Sequence, residues 1–564
     1  MEALDWLVIG VFFLALIGII VWVVRQKQND SADYFLGGRD ATWLAIGASI
    51  FASNIGSEHL IGLAGAGASS GMAMAHWEIQ GWMILILGWV FVPFYTRSMV
   101  YTMPEFLERR YNPQSRTILS VISLVSYVLT KVAVTVYAGG LVFQQVFGIK
   151  ELWGIDFFWI AAIGLVVLTA LYTIFGGMKS VLYTSVLQTP ILLLGSLIIL
   201  VLGFKELGGW DEMMRVCGAV TVNDYGDTMT NLIRSNDDAN FPWLGALIGS
   251  AIIGFWYWCT DQFIVQRVLS GKNEMEARRG TIFGAYLKLL PVFLFLIPGM
   301  IAFALHQKYI GAGGEGFLPM LANGTANADA AFPTLVAKLL PAGVKGLVVC
   351  GILAALMSSL ASLFNSSAML FTIDFYKRFK PETPEKKLVG IGQIATIVIV
   401  VLGILWIPIM RSVGDVLYTY LQDVQSVLAP GIAAAFLLGI CWKRTSAQGG
   451  MWGLISGMVI GLTRLGAKVY YSNAGEVADS TFKYLFYDMN WLFFCGWMFL
   501  FCIIVVIVVS LATEAPTAEK IQGLVFGTAT KEQKAATRAS WNHWDIIHTV
   551  IILGITAAFY WYFW

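Results

Sequence analysis

Residues 49–59 read Ser-Ile-Phe-Ala-Ser-Asn-Ile-Gly-Ser-Glu-His and place polar and small side chains in the middle of an apolar pattern. In hydrocarbon, an unpaired backbone N–H or C=O costs several kcal/mol. A stretch that weakens a helix is therefore tolerated at that depth only where it lines a cavity inside the protein. Broken helices in multi-pass membrane proteins are typical of binding sites for a solute and a coupling ion. The stretch predicts a broken helix and a buried site beside it.

The composition around this stretch is that of an all-α polytopic membrane protein. Apolar residues make up 58% of the 564 positions and charged residues only 13%, against roughly 25% charged residues in an average soluble domain; the mean hydropathy is +0.72. A bilayer core of about 30 Å takes ~20 apolar residues per helix. About fourteen windows have this character: 3–24, 43–67, 74–95, 117–145, 156–174, 181–203, 242–266, 281–304, 344–371, 388–410, 417–441, 448–470, 487–511 and 545–563.

The basic residues predict the orientation in the membrane. They concentrate in the loops after the first, third, seventh, ninth, eleventh and thirteenth windows, with Arg109 and Arg110 after the third and Lys386 and Lys387 after the ninth as examples. All of these loops fall on one side, which the positive-inside rule makes cytoplasmic. We therefore expect a multi-pass protein of the cell membrane, either an inner or a plasma membrane, with both termini outside.

The sequence gives little support to other chemistry. It contains neither a Gly-rich phosphate loop followed by Lys and Ser or Thr nor a His-Glu-x-x-His motif, so we expect neither direct coupling to ATP nor a resident cofactor. The five histidines have no metal-ligand spacing, and the six cysteines suggest no disulfide framework. The net charge of +1 gives no reason to expect a nucleic acid or an obligate protein partner.

Four groups of motifs in fixed order carry a family resemblance: residues 48–57 with 62–67, residues 102–107, residues 256–262 with 265–267, and residues 358–360 with 364–366. They resemble the sodium/glucose cotransporters of the sodium:solute symporter family, over about residues 33–470, and most of all a bacterial-type member of the sugar-transporting branch. The resemblance implies one transporter domain with a core of two five-helix inverted repeats, 43–205 and 242–441. A leading helix and loop (1–42) would precede the core, the first helix of the core would be broken, and trailing helices (448–564) would follow.

The resemblance also implies a sodium site. Its ligands would be the carbonyl oxygens of Ala52, Ile55 and Ala355 and the hydroxyls of Ser358 and Ser359. The residue types suit Na⁺, because a hard cation takes oxygen ligands and neutral carbonyls and hydroxyls supply them without a fixed charge. Small residues such as the two serines are also common where membrane helices simply pack together.

Intramembrane polar groups point to the solute site. Ionisable residues at membrane depth cost roughly 2.5–3.5 kcal/mol on insertion scales, so they indicate function. Glu78 and Lys288 are the clearest cases, joined by Asn54, His59 and Gln422. A sugar presents hydroxyls that both donate and accept hydrogen bonds, and this mixture of groups matches them.

The resemblance makes these residues sugar contacts. It also implies that Tyr257 stacks beneath the pyranose ring, where its flat face covers C–H surface, and Trp258 beside it completes the predicted set. Each assignment has a simpler alternative. Glu78 and Lys288 could form a structural ion pair, Tyr257 could belong to an aromatic belt, and His59 could be a neutral core imidazole.

Three positions depart from the family pattern. Ser185 stands where many members carry Asp, and Ala361 replaces a hydroxyl residue of the two-sodium sugar carriers; both argue against a second sodium ion. Gly254 replaces a polar residue that contacts sugar in relatives.

The sequence thus predicts electrogenic symport of one Na⁺ with a glucose- or galactose-like monosaccharide into the cell by alternating access. The alternatives are a polyol such as myo-inositol, another small polar solute, or an uncoupled sugar sensor. A passive channel and a membrane-embedded enzyme using Glu78, His59 and Lys288 are also conceivable, but no nucleophile or metal motif accompanies those residues. We therefore expect a secondary active transporter whose partners are the sugar, sodium and the lipid bilayer.

Overall fold

A computed structural model describes residues 1–26, 30–56, 58–321, 324–410, 417–473 and 478–564. Ser57 of the central stretch lies outside these ranges. The α-helices of the first half are α1 Ala3–Val24, α2 Ser31–Leu36, α3 Trp43–Asn54, α4 Ala64–Ser70, α5 Ala75–Glu78, α6 Gly81–Ile86, α7 Val92–Ser98, α8 Met103–Arg110, α9 Pro113–Ser126, α10 Ala133–Phe147, α11 Phe157–Leu207, α12 Trp210–Gly218, α13 Trp243–Gly254 and α14 Gln262–Leu269.

The second half is helical in the same way. Its α-helices are α15 Glu274–Lys288, α16 Ile297–Gly311, α17 Ala331–Leu339, α18 Val344–Met369, α19 Lys377–Phe379, α20 Glu385–Met410, α21 Leu417–Cys441, α22 Ala447–Asn473, α23 Thr481–Lys483, α24 Trp491–Ala512, α25 Ala518–Ile521, α26 Lys531–Ala539 and α27 His543–Tyr562.

Shorter elements connect these helices. The π-helical segments are Glu58–Leu63, Leu87–Phe91, Tyr127–Val132, Phe255–Thr260, Val292–Leu296, Leu370–Tyr376 and Tyr484–Asp488, and the 3-10 turns are Gly37–Arg39, Gly71–Met74 and Ala328–Ala330. A small antiparallel hairpin pairs β1 (Glu151–Leu152) with β2 (Ile155–Asp156).

The fourteen predicted windows all overlap helical segments, and among the described residues ten helices are long and apolar enough to cross a membrane. The difference has two sources. Windows 156–174 and 181–203 lie in one 51-residue element, α11. Other windows contain shorter helices separated by breaks, such as α3 with only 12 residues. The number of crossings therefore stays a prediction.

Gly177 marks the kink that divides α11. Its φ of 52° is left-handed, a conformation that glycine adopts without steric cost. A Cβ atom there would lie 2.4 Å from the carbonyl oxygen of Tyr34 in α2. The kink and the close approach of α2 both require glycine, so this residue lets α11 make two successive passes.

Two helices are interrupted at comparable places. The first is α3, which ends at Asn54; Ile55 is extended (φ −82°, ψ 106°) before the chain becomes helical again at Glu58–Leu63. The second runs through α13 and Phe255–Thr260 to Asp261, which is also extended (φ −76°, ψ 128°) and precedes α14. The predicted break in the first core helix thus has a counterpart two hundred residues later.

The interrupted helices lie at the centre of the molecule. In the 18-residue apolar window of the span that contains α18, 89% of the residues are buried, against 22% in the corresponding window of α1 and 17% in that of α27. Tyr172 of α11 donates a hydrogen bond to the Met357 carbonyl of α18 (2.9 Å), and Thr189 of α11 donates to the Ala48 carbonyl of α3 (3.2 Å). These contacts fix α3, α11 and α18 against one another, while α1 and α27 form the periphery.

Candidate solute and sodium sites

One central cavity is lined by all seven predicted sugar-binding residues. They come from five separate parts of the chain and line a cavity of about 60 Å³: Asn54, His59, Glu78, Tyr257, Trp258, Lys288 and Gln422. Ser359, a predicted sodium ligand, lies on the same wall. The first interrupted helix supplies Asn54 and His59 to this solute cavity, and the second supplies Tyr257 and Trp258. Breaks of this kind are typical of binding sites in membrane transporters.

A chain of hydrogen bonds crosses the cavity. Lys288 Nζ donates to Glu78 Oε2 (2.6 Å) and to Asn54 Oδ1 (3.1 Å), and Asn54 Nδ2 donates to the Tyr257 hydroxyl (3.2 Å). Asn54, Glu78 and Lys288 are buried and Tyr257 is half-buried. The Glu78 and Lys288 side chains are only 2% and 4% exposed. The network balances two buried charges and joins the two interrupted helices through Asn54 and Tyr257.

His59 and Trp258 complete the surroundings of this ion pair. His59 Nε2 lies 3.4 Å from Glu78 Oε2, and the ammonium of Lys288 lies 5.3 Å from the centre of the Trp258 ring. The Tyr257 and Trp258 rings meet edge to face at 4.9 Å. The cavity therefore offers charged, amide and imidazole groups beside aromatic faces, a combination that suits a ring bearing hydroxyl groups.

Lys131 is a second buried ammonium that lines the cavity. Its Nζ lies 2.5 Å from Asp261 Oδ2, at the break of the second interrupted helix, and the Tyr127 hydroxyl donates to the other oxygen of Asp261. The same ammonium lies 4.9 Å from the centre of the Tyr257 ring. This pair therefore fixes the break at Asp261, directly after the π-helical segment that carries Tyr257.

We expect Asp261→Asn to lower both the melting temperature and solute uptake, since removing one partner of a buried ion pair leaves an uncompensated charge and costs about 3–5 kcal/mol. The double variant Lys131→Met with Asp261→Asn removes both charges and should recover most of the melting temperature. Differential scanning fluorimetry and uptake by proteoliposomes measure the two effects. Equal melting temperatures for the single variant and the wild type would show that the pair does not hold this segment.

The predicted sodium ligands lie where α3 ends against α18. The last four carbonyls of a helix have no intrahelical partner, and Ala52 is among them because α3 ends at Asn54. Ile55 is in the extended break. Ala355, Ser358 and Ser359 follow one another on α18, all buried. The elements thus bring carbonyl and hydroxyl oxygens to one region; their role as ligands stays a prediction.

Ser185 lies beside these serines. Its Oγ is 3.3 Å from Ser358 Oγ and 3.5 Å from Ser49 Oγ, and it donates to the Val181 carbonyl (2.6 Å). A neutral hydroxyl therefore lies next to Ser358, and the expected absence of a carboxylate from this place stays part of the one-sodium prediction. Ala361, the other position that departs from the family pattern, is fully buried on α18, the helix that carries Ser358.

Several residues of the cavity wall were missed in the sequence, namely Glu58, Trp77, Gln80, Lys131 and Gln425. Lys131 lies in the apolar window 117–145, so the rule that intramembrane charges indicate function could have found it. Glu58 follows directly on the break. The two amides and the tryptophan gave no signal, because such side chains also occur on ordinary helix interfaces.

Comparisons with known proteins agree with this geometry. The model of the sodium:solute symporter family matches residues 34–457. Sodium/myo-inositol cotransporter 2 of Mus musculus is 37% identical over 542 residues, covering 94% of this chain and 80% of that protein. Sodium/glucose cotransporter 4 of Danio rerio is 36% identical over 537 residues, covering 92% and 80%.

A solved structure resembles the fold. The substrate-bound, outward-open structure of a Na⁺-coupled sialic acid symporter matches with a TM-score of 0.72 at 22% identity, over 92% of this chain and 99% of that one. The predicted fold class, an all-α membrane protein with an inverted-repeat core, is confirmed by this match. The boundaries of the repeats stay predictions, as does the assignment to a bacterial-type, sugar-transporting branch.

Proposed function

Because the chain belongs to the sodium:solute symporter family, we propose that it carries a glucose- or galactose-like monosaccharide together with Na⁺ into the cell by alternating access. At the coarser level it is a multi-pass membrane protein that couples Na⁺ to the movement of a small solute, and it is not an enzyme. The identity of the solute, the stoichiometry and the placing of both termini outside the cell membrane belong to the proposal.

The cavity is the observation that carries the sugar assignment. Glu78 accepts, Lys288 donates, and Asn54 and Gln422 do both, so together they can pair with hydroxyls spread around a ring. The Oε1 atom of Gln422 is buried without a hydrogen-bond partner among the described residues, so it remains available to a solute hydroxyl. The Tyr257 and Trp258 rings supply surface for the C–H faces.

Coupling to one sodium ion follows from the neutral oxygens beside the break. Ala52, Ile55, Ala355, Ser358 and Ser359 form the proposed ligand set, and none of these ligands titrates, which favours Na⁺ over H⁺ as the coupling ion. With Ser185 and Ala361 in place of the groups linked to a second ion, oxygens for one ion remain.

A cyclic polyol is the second candidate solute. Relatives that match 94% of this chain are named for myo-inositol. The hydroxyls of this ring donate and accept hydrogen bonds in the same way as those of a pyranose. The polar network does not distinguish the two rings, because each of its groups pairs with a hydroxyl and not with a ring oxygen alone.

Uptake by proteoliposomes tests the proposal. Purified protein should accumulate labelled glucose, galactose or myo-inositol only when an inward sodium gradient is imposed, and it should show counterflow, which a channel does not. Preference for myo-inositol over both sugars would select the polyol. Sodium-independent equilibration of all three solutes, or chemical conversion of any of them, would contradict symport.

A further inference from the structure

One part of the cavity wall is built from Trp77 and Gln80, which lie three residues apart where the chain leaves α5 and enters α6. The backbone departs from helical geometry at Ile79 (φ −79°, ψ 20°) and Gln80 (φ −84°, ψ 24°). Both side chains line the central cavity, although the two residues are only 4% and 3% exposed. Glu78, whose carboxylate also lines the cavity, lies between them in the sequence.

Trp77 brings a fixed hydrogen-bond donor to this wall. Its ring stacks on Trp491 with centroids 5.5 Å apart and meets Phe241 edge to face at 6.1 Å. These contacts hold the ring, yet its Nε1 atom is buried and donates to no hydrogen-bond acceptor among the described residues. Buried donors in native proteins have partners as a rule, so a group in the cavity is expected to accept from Trp77.

Gln80 brings a fixed acceptor. Its Nε2 atom donates to the Ser250 carbonyl of α13 (2.8 Å), which fixes the amide and leaves its Oε1 atom as an acceptor on this wall. Gly254 makes this position accessible. A Cβ atom at Gly254 would lie 2.5 Å from Gln80 Oε1 and 2.9 Å from its Cδ, so any larger residue there would displace the amide.

We propose that Trp77 and Gln80, with Gly254 leaving the space, form a subsite that recognises one hydroxyl region of the transported ring and thereby sets solute specificity. A hydroxyl both accepts and donates, which complements an indole N–H and an amide oxygen held on the same wall. The proposal rests on the proposed function. A site whose polar groups bind a solute hydroxyl rejects an analogue that lacks this hydroxyl, because the polar groups of the site then have no hydrogen-bond partner.

Competition by singly deoxygenated analogues tests the subsite. Sodium-driven uptake of labelled glucose, galactose and myo-inositol is measured first, and analogues of the carried solute lacking one hydroxyl each then compete. In the wild type, we expect loss of one hydroxyl, or of two neighbouring ones, to weaken competition at least tenfold. Trp77→Phe, which keeps a stacking ring, and Gln80→Leu should each reduce that penalty to below threefold at the same hydroxyl.

Two further variants make the result specific. Gly254→Ala, which displaces the Gln80 amide without removing it, should relax selectivity at the same hydroxyl even if Gln80→Leu does not fold. Gln393→Leu removes an amide that lies outside the cavity, where its Nε2 atom donates to the Ile174 carbonyl (3.1 Å), and should leave that selectivity in place.

The outcomes separate the two proposals. If the variants weaken competition by every analogue equally, or change only the sodium concentration for half-maximal uptake, the subsite is wrong and the proposed function stands. If the wild type takes up none of the three solutes in response to sodium, the proposed function is wrong, and the subsite proposal, which rests on it, is wrong as well.

Discussion

Replacing Glu78 by Gln is expected to abolish or greatly weaken sugar binding. The carboxylate accepts from Lys288 at 2.6 Å and lies 3.4 Å from the His59 ring. An amide in its place turns a donor toward hydroxyls that need an acceptor, and a mispaired buried group costs about 1–3 kcal/mol, or roughly 5- to 150-fold in affinity. Isothermal titration of the purified variant with sugar and sodium measures the loss directly.

The double variant Glu78→Gln with Lys288→Met separates sugar contact from a structural ion pair. The single variant leaves the buried ammonium of Lys288 without its charged partner, so it can fail through instability alone. Removing both charges relieves that strain on the fold. Sugar binding should remain lost in the double variant while its melting temperature recovers. Recovery of binding together with stability would mean that the pair only holds the helices together.

Replacing Ser359 by Ala is the second large effect we expect. Ser359 is buried on α18, lines the cavity and is a proposed sodium ligand. Loss of an outer-shell partner already lowers metal affinity about 10- to 100-fold, and loss of a direct ligand should cost at least as much. The sodium concentration for half-maximal uptake should therefore rise roughly tenfold or more, while the protein still inserts. The sodium dependence of uptake in proteoliposomes provides the measurement.

Ser362→Ala is the matched control, because it removes a hydroxyl from the same helix three residues further on. Ser362 Oγ is 2.7 Å from Ser53 Oγ and is outside the proposed ligand set. We expect its sodium dependence to stay within a few-fold of the wild type. A wild-type sodium requirement in the Ser359 variant would remove that residue from the set of ligands.

The sequence predicts the fold well because its strongest signal is local. An apolar window of about 20 residues identifies a membrane helix without any knowledge of its neighbours, and the windows accordingly overlap helices throughout the chain. The break after Asn54 is also local, since Gly56 and the polar residues around it weaken the helix. The two windows 156–174 and 181–203 also predict the division of α11, but only the structure shows that it occurs at Gly177, with a left-handed φ and close to Tyr34 of α2.

The site is only partly accessible from the sequence, because its polar groups are paired across long separations. Glu78 and Lys288 stand out as charges in apolar windows, but the partner of Lys131 is Asp261, 130 residues away. The proposed roles of Trp77 and Gln80 depend on the indole N–H and the amide oxygen that they bring to the cavity wall. Only the three-dimensional arrangement reveals these positions. The position of Gln80 beside Gly254 links the missing side chain of that glycine to an amide from another part of the chain.

The reversal potential of the sugar-coupled current in proteoliposomes, at set sodium and sugar gradients, tests the central claim of one-to-one sodium and sugar symport most directly. A neutral sugar that moves with one Na⁺ carries one charge, so 100 mV adds roughly 2.3 kcal/mol to the driving force. We predict a charge-to-sugar ratio near one and no uptake without sodium. A ratio near two, or sodium-independent uptake driven by a pH gradient, would contradict the account.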